Sequence, residues 1–459
     1  MGNLLRARAE RDGRLHSMSV LGPGSLDARI ERMASALAAA RLRVVGLVAD
    51  NGPDWVAADL AAQKAGVVLV PLPAFFTDAQ RAHASDASGM DGVLGAALPG
   101  FAGGGEIEDL RFWRRETRPA ALPPGTSKIT FTSGTTGTPK GVPLRAAQQW
   151  AVARALADAS RGLGLRRHLC LLPLSVLLEN VGGVYAPLAA GMEFCVPPLR
   201  EVGLHGSSSF DAHACLAAIQ RWQADSVILL PQMLAAMCAA LEHGAQAPRS
   251  LKFAAVGGAK LSAVLLMRAR ALGLPVYEGY GLSECASVVA LNVPGADRPG
   301  AAGRPLPHAA VRILDDEIYV NTSGEWIASG DLGRLDADGF LHIEGRRKHV
   351  LITSFGRNVS PEWPEAELLA GPAIAQAAVF GEARPRLCAL IVPAPGVPQS
   401  AVEAQVQAAN ARLPDYAQIA GWLRADAPFT PQNGFATANG RARRDALWQA
   451  YAARLDAVL

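Results

Sequence analysis

The sequence predicts an α/β fold built from two unequal domains, and three observations support this. Short apolar runs alternate with helical patterns over most of the chain, turn-rich segments replace them after about Gly330, and the chain has 459 residues. Regular alternation is typical of a mainly parallel sheet covered by helices, and this length exceeds that of one ordinary domain. We therefore expect a large N-terminal α/β domain with mainly parallel sheets over 1–345, and a small, mobile C-terminal α+β domain over 346–459.

The alternation begins with a strand–helix–strand unit. Buried strands are predicted at 43–50 and 67–73, with a helix at 54–66 between them. The same reasoning predicts an apolar segment at 169–174, helices at 214–222 and 232–244, and strands at 225–231, 251–258 and 274–281. The last two strands run directly into glycines, and ligands in open α/β sheets bind beyond the carboxyl ends of the strands. These glycines therefore mark a candidate binding site.

The C-terminal part of the chain has a different pattern. The sequence DADGFLHIEG at 336–345 predicts a hairpin, and we place the domain boundary near Gly345 to Lys348. Beyond this boundary the pattern predicts strands at 350–356 and 387–394, and helices at 362–369, 400–412 and 441–458. This order of elements predicts a small α+β unit.

Composition argues against several classes of protein. Hydrophobic residues make up 50% of the chain and charged residues 19%, so we expect a folded protein. The net charge of +3 gives no reason to expect nucleic acid as a partner. Six cysteines without a CxxC pair argue against a zinc site or a disulfide framework. We find no signal-peptide pattern and no unbroken apolar run, so we expect a cytoplasmic protein without a transmembrane segment.

The strongest local signal is the segment KITFTSGTTGTPKGV at 128–142. Its glycines allow backbone N–H groups to turn toward an anion, its hydroxyls add donors, and Lys140 adds a mobile positive charge. The spacing of the glycines from Lys140 differs from that of the GxxxxGK[ST] loop, which argues against a P-loop phosphotransferase. The segment predicts a grip for a polyphosphate, made by Thr132, Ser133, Gly134, Thr135, Thr136, Gly137 and Lys140.

This segment also resembles the signature of a known family. TFTSGTTGTPKGV is similar to the loop of the adenylate-forming (AMP-binding) superfamily, which contains acyl-CoA synthetases, luciferases and peptide-synthetase adenylation domains. Further segments resemble family motifs in the expected order: YGLSE at 280–284, SGDLG at 329–333, GRRKHVLITSFGRNVSPEWPE at 345–365 and TPQNGFATANGRARRDAL at 430–447. The resemblance covers about residue 45 to the C-terminus, and it implies an enzyme that activates a carboxylic acid with ATP.

The resemblance implies roles for the residues that match the phosphate and metal positions. Thr132 and the loop behind it would hold the ATP phosphates, and Lys140 would contact the departing pyrophosphate. Thr132 and Glu284 would bind Mg²⁺, a hard cation that prefers oxygen ligands. Metal and lysine would offset the negative charge gathered when a carboxylate attacks the α-phosphorus. The catalytic residues implied in this way are Lys140, Glu284 and Arg441.

Other matched positions would bind the adenine base. Small residues at Gly257, Gly258 and Ala259 would let the flat base approach the backbone, and Tyr280 would stack on its face. The neighbouring positions that belong to the same implied ATP/AMP site are Gly279, Gly281 and Ser283.

The ribose and the hinge are matched by residues near the predicted domain boundary. Asp331 would accept hydrogen bonds from both ribose hydroxyls, and Arg346 would add a donor to the sugar. Lys348 stands at the implied hinge, about which the small domain rotates between adenylation and acyl transfer.

The sequence departs from the family pattern at its last motif. The family carries a lysine after glycine that bridges the carboxylate and the α-phosphate, but here Arg441 follows Gly440. Arginine keeps the charge and gains donors, but it loses the compact ammonium group. We expect Arg441 to take the lysine's role, with a slowed or altered first step as the alternative. The chain's strong preference for arginine over lysine offers a further explanation for the exchange.

Three smaller departures concern the substrate and the hinge. Val176 stands where long-chain acyl-CoA synthetases often have histidine, which suggests an apolar acyl entrance, with ordinary core packing as the alternative. His349 follows the hinge lysine where the family commonly has aspartate. The stretch 313–330 is shorter than usual, which disfavours the fatty acyl-AMP ligase branch.

The segments LPLSVLLEN and SFGRNVSPEWPE look most like those of fatty acyl-CoA synthetases. We therefore expect an AMP-forming acid–thiol ligase that uses ATP and Mg²⁺, a medium- or long-chain fatty acid or another apolar acid, and coenzyme A as the acyl acceptor. The phosphopantetheine arm of an acyl carrier protein, or an amine, is the alternative acceptor. A nucleotide-binding pseudoenzyme with impaired adenylation, in which Arg441 is a structural cation, is the rival from a different class.

Overall fold

The computed structural model describes residues 20–132, 139–206, 209–437 and 440–458. The chain divides into two compact units. The first unit runs to Gly206 and also includes Ala217–Ile228 and Arg249–Lys252; the second contains the segment that ends at Leu216, Leu229–Pro248 and Phe253–Leu459. Among the described residues, no helix is both long enough and apolar enough to span a membrane.

The first part of the chain alternates between strands and helices. Its strands are β1 (Val20–Leu21), β2 (Val44–Val48), β3 (Val68–Pro71), β4 (Gly92–Gly95), β5 (Ala102–Ile107), β6 (Leu110–Arg114), β7 (Thr126–Thr132), β8 (Lys140–Arg145), β9 (Arg167–Leu169), β10 (Glu193–Cys195) and β11 (Leu204–His205). Its helices are α1 (Asp27–Ala39), α2 (Pro53–Ala65), α3 (Asp78–Ser88), α4 (Ala146–Ser160), α5 (Leu177–Glu179) and α6 (Ala186–Ala190), with a π-helical turn at Asn180–Tyr185 and 3₁₀ turns at Arg161–Leu163 and Leu199–Val202.

The second part contains more antiparallel strand pairs. Its strands are β12 (Ser209–Phe210), β13 (Ser226–Leu229), β14 (Phe253–Val256), β15 (Val276–Leu282), β16 (Ser287–Leu291), β17 (Arg304–Pro305), β18 (Ala310–Leu314), β19 (Glu317–Asn321), β20 (Trp326–Leu335), β21 (Leu341–Arg346), β22 (Leu351–Ile352), β23 (Asn358–Val359), β24 (Ile374–Phe380), β25 (Leu387–Pro393) and β26 (Ile419–Arg424). The helices are α7 (Ala212–Trp222), α8 (Pro231–Glu242), α9 (Ala263–Ala271), α10 (Glu362–Leu368), α11 (Gln399–Asn410) and α12 (Arg444–Asp456), with 3₁₀ turns at Ser283–Cys285, Arg347–His349 and Asp415–Ala417.

The first unit is organised by a seven-stranded sheet in the order β5-β6-β4-β2-β3-β7-β8. Its central pairs are parallel, and its edge pairs are antiparallel. Every residue of β2 and β3 is buried, as expected for parallel strands covered on both faces. Strands β9 and β10 form a further parallel pair. The α/β fold predicted from alternation is confirmed in this unit.

The described part of the second unit combines several sheets, which include the small two-stranded sheet β22-β23. Parallel β14 and β15 continue into antiparallel β16 and β17, and β18 to β21 form an antiparallel meander. The last sheet has the order β24-β25-β26 and is packed with α11 around a core that includes Val379, Leu387, Ile391 and Val402, all almost inaccessible to solvent. The glycine-bearing strand ends and the hairpin predicted at 336–345 therefore lie within one unit.

Several predicted strands are shorter at their ends than expected, and two elements in the C-terminal part are markedly shorter. The strand predicted at 350–356 is limited to β22, because the chain turns at Gly356, whose φ is +71° and whose N–H donates to the Thr353 carbonyl. The helix predicted at 441–458 begins only at Arg444. Arg441 lies outside it because both its N–H and its carbonyl bond to Thr437. The predicted domain boundary at 345/346 stays a prediction.

Candidate active site

The strands that flank the predicted phosphate loop belong to the first unit. Strands β7 and β8 are antiparallel, and Thr132 at the end of one lies opposite Lys140 at the start of the other. The Lys140 side chain is exposed. The predicted loop residues between them, Ser133, Gly134, Thr135, Thr136 and Gly137, lie outside the described residues. The strand pair therefore fixes the two ends of the segment, at the backbone of Thr132 and at Lys140.

A buried ion pair anchors strand β7. Lys128 Nζ lies 2.8 Å from Asp59 Oδ1, and both side chains are about 1% exposed. The Nζ also contacts Tyr185 OH at 3.1 Å and the Asn180 amide oxygen. Burial lowers the pKa of Lys128, while Asp59 opposes this shift. Because a buried charge pair is costly unless its geometry is well satisfied, this cluster fixes β7 firmly four residues before Thr132.

A second buried polar cluster lies beside the LPLSVLLEN segment. His168 Nε2 is 3.1 Å from Glu179 Oε1, and His168 Nδ1 is 3.0 Å from Ser226 Oγ. The Leu172 N–H donates to Glu179 Oε2 at 2.8 Å. Burial raises the pKa of the adjacent Cys170 thiol well above its usual value, and Glu179 adds to this shift. Each of these ionisable groups has a hydrogen-bond partner within the protein. The cluster is therefore a hydrogen-bonded network in the core.

In the second unit, the loop after β14 carries the predicted adenine slot. Gly258 has a φ of +84°, and a Cβ atom there would lie 2.9 Å from Leu230 Cδ2. The Gly257 N–H donates to the Leu229 carbonyl at 3.2 Å, while Ala259 is exposed. Only glycine adopts such a backbone conformation without strain. The loop therefore turns sharply and leaves the carbonyl of Gly258 available to a donor.

Gly279 and Gly281 have a packing reason that the sequence did not reveal. A Cβ atom at Gly281 would lie 2.0 Å from the Ser287 carbonyl oxygen, and one at Gly279 would lie 3.0 Å from Leu291 Cδ1. Both contacts come from β16, which pairs with β15 across a bulge at Tyr280 and Gly281. The two glycines allow β16 to approach closely on either side of Tyr280. Their assignment to the nucleotide site stays a prediction.

Tyr280 and Arg346 both contact the carboxylate of Asp331. Tyr280 OH donates to Asp331 Oδ2 at 2.6 Å, and Arg346 Nε lies 2.6 Å from Asp331 Oδ1. Asp331 is only 5% exposed. Burial raises the pKa of Asp331, and the charge of Arg346 and the Tyr280 hydroxyl oppose this shift. Strand pairing places Asp331 opposite Arg346 on β20 and β21, so the cluster follows from the register of the meander.

Arg441 reaches the carbonyl of the adenine-slot loop. Its Nη2 donates to the Gly258 carbonyl oxygen at 2.5 Å, and its Nε donates to the same atom at 3.2 Å. The side chain keeps solvent access, yet its charge interacts with the groups around Asp331. Desolvation lowers the pKa of Arg441. The positive charge of Arg346 lowers this pKa further, whereas the charge of Asp331 raises it. The structure therefore brings Arg441, Gly258, Asp331 and Arg346 together.

Ser283 and Glu284 lie in a single 3₁₀ turn after β15. The turn is followed by Ala286 and Ser287, both with positive φ, at +60° and +113°. Glu284 is half-buried. Within the ranges that the structure describes, its carboxylate forms no hydrogen bond or ion pair. A half-buried carboxylate without a protein partner is a suitable oxygen donor for a hard cation.

The predicted hinge residue Lys348 is the central residue of the 3₁₀ turn Arg347–His349 and is exposed. Its neighbours are fixed. Arg347 Nε lies 3.1 Å from Glu317 Oε2, and His349 Nδ1 contacts Glu362. The turn thus leaves Lys348 exposed between two anchored side chains.

Two family models match this chain. Residues 24–332 match the family described as AMP-binding enzyme, and residues 348–459 match the AMP-binding enzyme C-terminal domain. The chain belongs to the AMP-binding enzyme family. This is the adenylate-forming superfamily that the motifs resemble, so the recognition made from the sequence is confirmed. The predicted fold class, a large α/β domain with a smaller C-terminal domain, is confirmed as well.

Several characterised relatives of this AMP-binding enzyme are CoA ligases. The chain is 41% identical over 155 residues to the long-chain-fatty-acid–CoA ligase FadD15 of Mycobacterium bovis, covering 29% of this chain and 26% of that one. It is 30% identical over 296 residues to the 2-succinylbenzoate–CoA ligase of Bacillus mycoides, covering 56% of both. Among solved structures, it is similar to the Bacillus subtilis O-succinylbenzoate coenzyme A synthetase in complex with AMP, with a TM-score of 0.72, 25% identity and 92% coverage of both chains. The chain spans between a quarter and about half of the length of the curated relatives it matches.

Sequence reasoning missed a buried ion pair and a buried glutamate in this AMP-binding enzyme. Lys128 and Asp59 were visible only as single charges within apolar segments, and each could have been suspected because an unpaired charge is rarely buried. The buried glutamate is Glu278, on β15 next to Gly279, and the charge of Lys260 acts on it. The Lys260 Nζ donates to the Ile343 carbonyl at 3.0 Å. Burial raises the pKa of Glu278 to about 8, although Lys260 partly offsets the shift.

The raised pKa of Glu278 predicts a pH-dependent stability. Its pKa rises from 4.5 to about 8 on folding, so the folded state holds this proton more tightly than the unfolded state. The resulting stabilisation is complete below the unfolded pKa and is lost as the pH rises through the folded pKa. Between about pH 5 and about pH 8, we expect the wild-type protein to lose at least about 1 kcal/mol more stability than Glu278→Gln.

Chemical denaturation at several pH values measures this difference. Glu325→Gln is the matched control, because Glu325 is an exposed glutamate in the turn between β19 and β20. Parallel stability–pH curves for the wild type and Glu278→Gln would show that the Glu278 carboxyl is ionised in the folded protein at neutral pH.

Proposed function

We propose that this chain joins a carboxylic acid to AMP, using ATP, and then transfers the acyl group to the thiol of coenzyme A. In the first step, a carboxylate oxygen bonds to the α-phosphorus while the bond from that phosphorus to the β-phosphate oxygen breaks, and pyrophosphate leaves. In the second step, the thiol sulfur attacks the acyl carbonyl carbon, the bond to the AMP oxygen breaks, and the thiol proton is released. AMP is the leaving group of the second step.

The position of Arg441 carries this proposal. Its guanidinium lies against the Gly258 carbonyl and within the electrostatic reach of Asp331 and Arg346. An arginine offers five N–H donors, and only its Nε and Nη2 are used on Gly258. The other N–H groups of the guanidinium can donate hydrogen bonds to a carboxylate or phosphate oxygen. Charge placed in advance where a transition state gathers negative charge is a large source of rate enhancement.

Asp331 supports a role in holding the ribose. Both carboxylate oxygens already accept a protein donor, from Tyr280 and from Arg346. Each carboxylate oxygen has a further lone pair, so two ribose hydroxyls can still donate to it. The protein donors hold the carboxylate in one orientation before the nucleotide binds. This pre-organisation lowers the entropy cost of binding.

Glu284 and Thr132 are proposed to bind Mg²⁺. Glu284 offers a half-buried carboxylate without a partner in the described parts of the chain, and Thr132 is proposed as the second ligand. The ion would supply charge neutralisation at the phosphates. Lys140, at the start of β8, and the loop residues Ser133 to Gly137 are proposed to hold the departing pyrophosphate.

The proposed acid is a medium- or long-chain fatty acid or another apolar acid. Val176 is half-buried beside the short helix α5, which gives an aliphatic surface where a polar ring is common in relatives. The names of two relatives, a fatty-acid ligase and a succinylbenzoate ligase, agree on a thioester of coenzyme A but differ on the acid.

We propose Lys348 as the hinge between residues 1–345 and 346–459, which would let one site serve both steps.

Product analysis tests the proposed reaction most simply. Incubation with ATP, Mg²⁺, coenzyme A and a panel of acids should yield AMP and pyrophosphate in amounts that depend on the acid and on the metal. Without coenzyme A, mass spectrometry should detect the acyl adenylate. ADP as the nucleotide product would contradict the proposal, and nucleotide binding without any product over the whole panel would favour a pseudoenzyme.

A further prediction concerns Arg441. We expect Arg441→Ala to slow acyl-adenylate formation by about 10²–10³-fold, the scale for losing one pre-organised charge at a transition state. Arg441→Lys should remain active. Transfer of the acyl group from a supplied acyl adenylate should change little in both variants, because the small domain is proposed to rotate this residue away before that step.

The two half-reactions must be assayed separately. Arg443→Ala is the matched control, because Arg443 lies on the same segment and its side chain forms no hydrogen bond or ion pair with the residues that the structure describes. Unchanged adenylation in Arg441→Ala would show that Arg441 is a structural cation.

A further inference from the structure

A cluster of charged and polar residues surrounds the turn that contains Lys348. We call it the hinge cluster, and it consists of His349, Ser360, Glu362, Glu365 and Arg444. His349 directly follows the proposed hinge residue, both glutamates lie at the start of α10, and Arg444 is the first residue of α12. The cluster therefore joins the hinge turn to the helix that follows Arg441.

Glu362 is the centre of this cluster. Its Oε1 contacts His349 Nδ1 and lies 3.4 Å from Arg444 Nη1, and its Oε2 accepts a hydrogen bond from Ser360 Oγ at 2.7 Å. Burial alone would raise the pKa of Glu362, but the hydrogen bond from His349 and the charge of Arg444 outweigh it and lower the pKa to about 2. Glu362 is thus a carboxylate at neutral pH, held by three donors.

Arg444 connects the cluster to a second carboxylate. Its Nη2 donates to Glu365 Oε2 at 2.5 Å, and Glu365 Oε1 accepts the Val379 N–H at 2.8 Å. Burial raises the pKa of Glu365 to about 7, against the effect of Arg444. Because Arg444 bridges two glutamates of one helix, the start of α12 has little freedom to move relative to α10.

Only two residues separate Arg444 from Arg441, and their backbone is fixed. The Arg443 N–H donates to the Phe435 carbonyl at 2.9 Å, and Thr437 bonds to both backbone groups of Arg441. Three residues of extended chain reach at most about 10 Å. The anchoring of Arg444 therefore limits where the Arg441 guanidinium can lie, and in the structure it lies against Gly258.

The same cluster also contacts the chain before the hinge. A Cβ atom at Gly345 would lie 1.7 Å from Ser360 Oγ, so β21 packs directly against the serine that donates to Glu362. The next residue, Arg346, is the partner of Asp331. His349 contributes a donor where the family commonly has aspartate, and a carboxylate at that place would repel Glu362.

We propose that Glu362, with His349 and Arg444, is a positioning residue that holds Arg441 beside Gly258 for the adenylation step. This inference rests on the proposed function, because it assigns Glu362 an effect on catalysis through Arg441. Glu362 acts by fixing the short segment that carries the catalytic arginine.

A double-mutant cycle tests the coupling. Glu362→Gln keeps the size of the side chain and removes its charge, and it should slow acyl-adenylate formation by about 10–10²-fold, the scale for misplacing a catalytic group. Acyl transfer from a supplied acyl adenylate should stay within about twofold. In an Arg441→Ala background, Glu362→Gln should cost less than about twofold more, because residues that act as one unit are not additive. The proposal would be overturned if the losses of the two single variants multiply in the double variant, or if Glu362→Gln keeps full activity.

Hydrogen–deuterium exchange supplies a readout that needs no activity. Glu362→Gln should speed amide exchange in peptides that cover 440–444 by at least about fivefold, because local opening sets the exchange rate. His349→Ala, which leaves the Glu362–Arg444 pair in place, should act in the same direction if the first variant folds poorly. The matched control is Asp426→Asn, which removes an ion pair with Arg454 near the other end of α12.

The two readouts separate failure of this inference from failure of the proposed function. An enzyme that forms no adenylate but shows the faster exchange would contradict only the proposed reaction. Adenylation with unchanged exchange in both hinge-cluster variants would contradict only the positioning role.

Discussion

The carboxylate of Asp331 ties together the elements of the candidate nucleotide site. It accepts a hydrogen bond from Tyr280 on β15 and pairs with Arg346 on β21, while its own backbone lies on β20. Burial makes this charge costly, and the two donors offset that cost. Removing either donor would leave a buried carboxylate undersatisfied. The proposed hinge turn, which begins directly after Arg346, is therefore tied to this carboxylate as well as to Glu317 and Glu362.

Replacing the family's lysine with arginine changes how the last motif can work. A lysine ammonium is a compact charge that turns freely, whereas a guanidinium is planar and presents its donors in a fixed direction. Arg441 uses two of these donors on the Gly258 carbonyl, an arrangement that orients the remaining ones. This geometry gains precision only if the segment behind Arg441 is held still. The ion pairs of Arg444 with Glu362 and Glu365 provide that restraint.

The sequence predicted the parts of the fold that depend on local pattern. Alternating apolar runs located β2, β3, β14 and β15, because buried parallel strands have a distinctive composition. Pairs distant in sequence stayed hidden: Lys128 with Asp59, and Glu362 with Arg444, meet only through tertiary packing. The true start of α12 was missed because Thr437 competes for the backbone of Arg441, which periodicity does not register. Gly281 was matched to a motif, but its contact with the Ser287 carbonyl needs the register of β16.

The central claim is that a carboxylate oxygen attacks the α-phosphorus of ATP, and isotope transfer tests this most directly. An acid labelled with ¹⁸O in its carboxylate is supplied with ATP, Mg²⁺ and coenzyme A, and the AMP formed is analysed by mass spectrometry. The account predicts that AMP carries one labelled oxygen on its phosphorus, because the bond to that oxygen forms in the first step and its bond to carbon breaks in the second. AMP without label, or label found in inorganic phosphate, would contradict it.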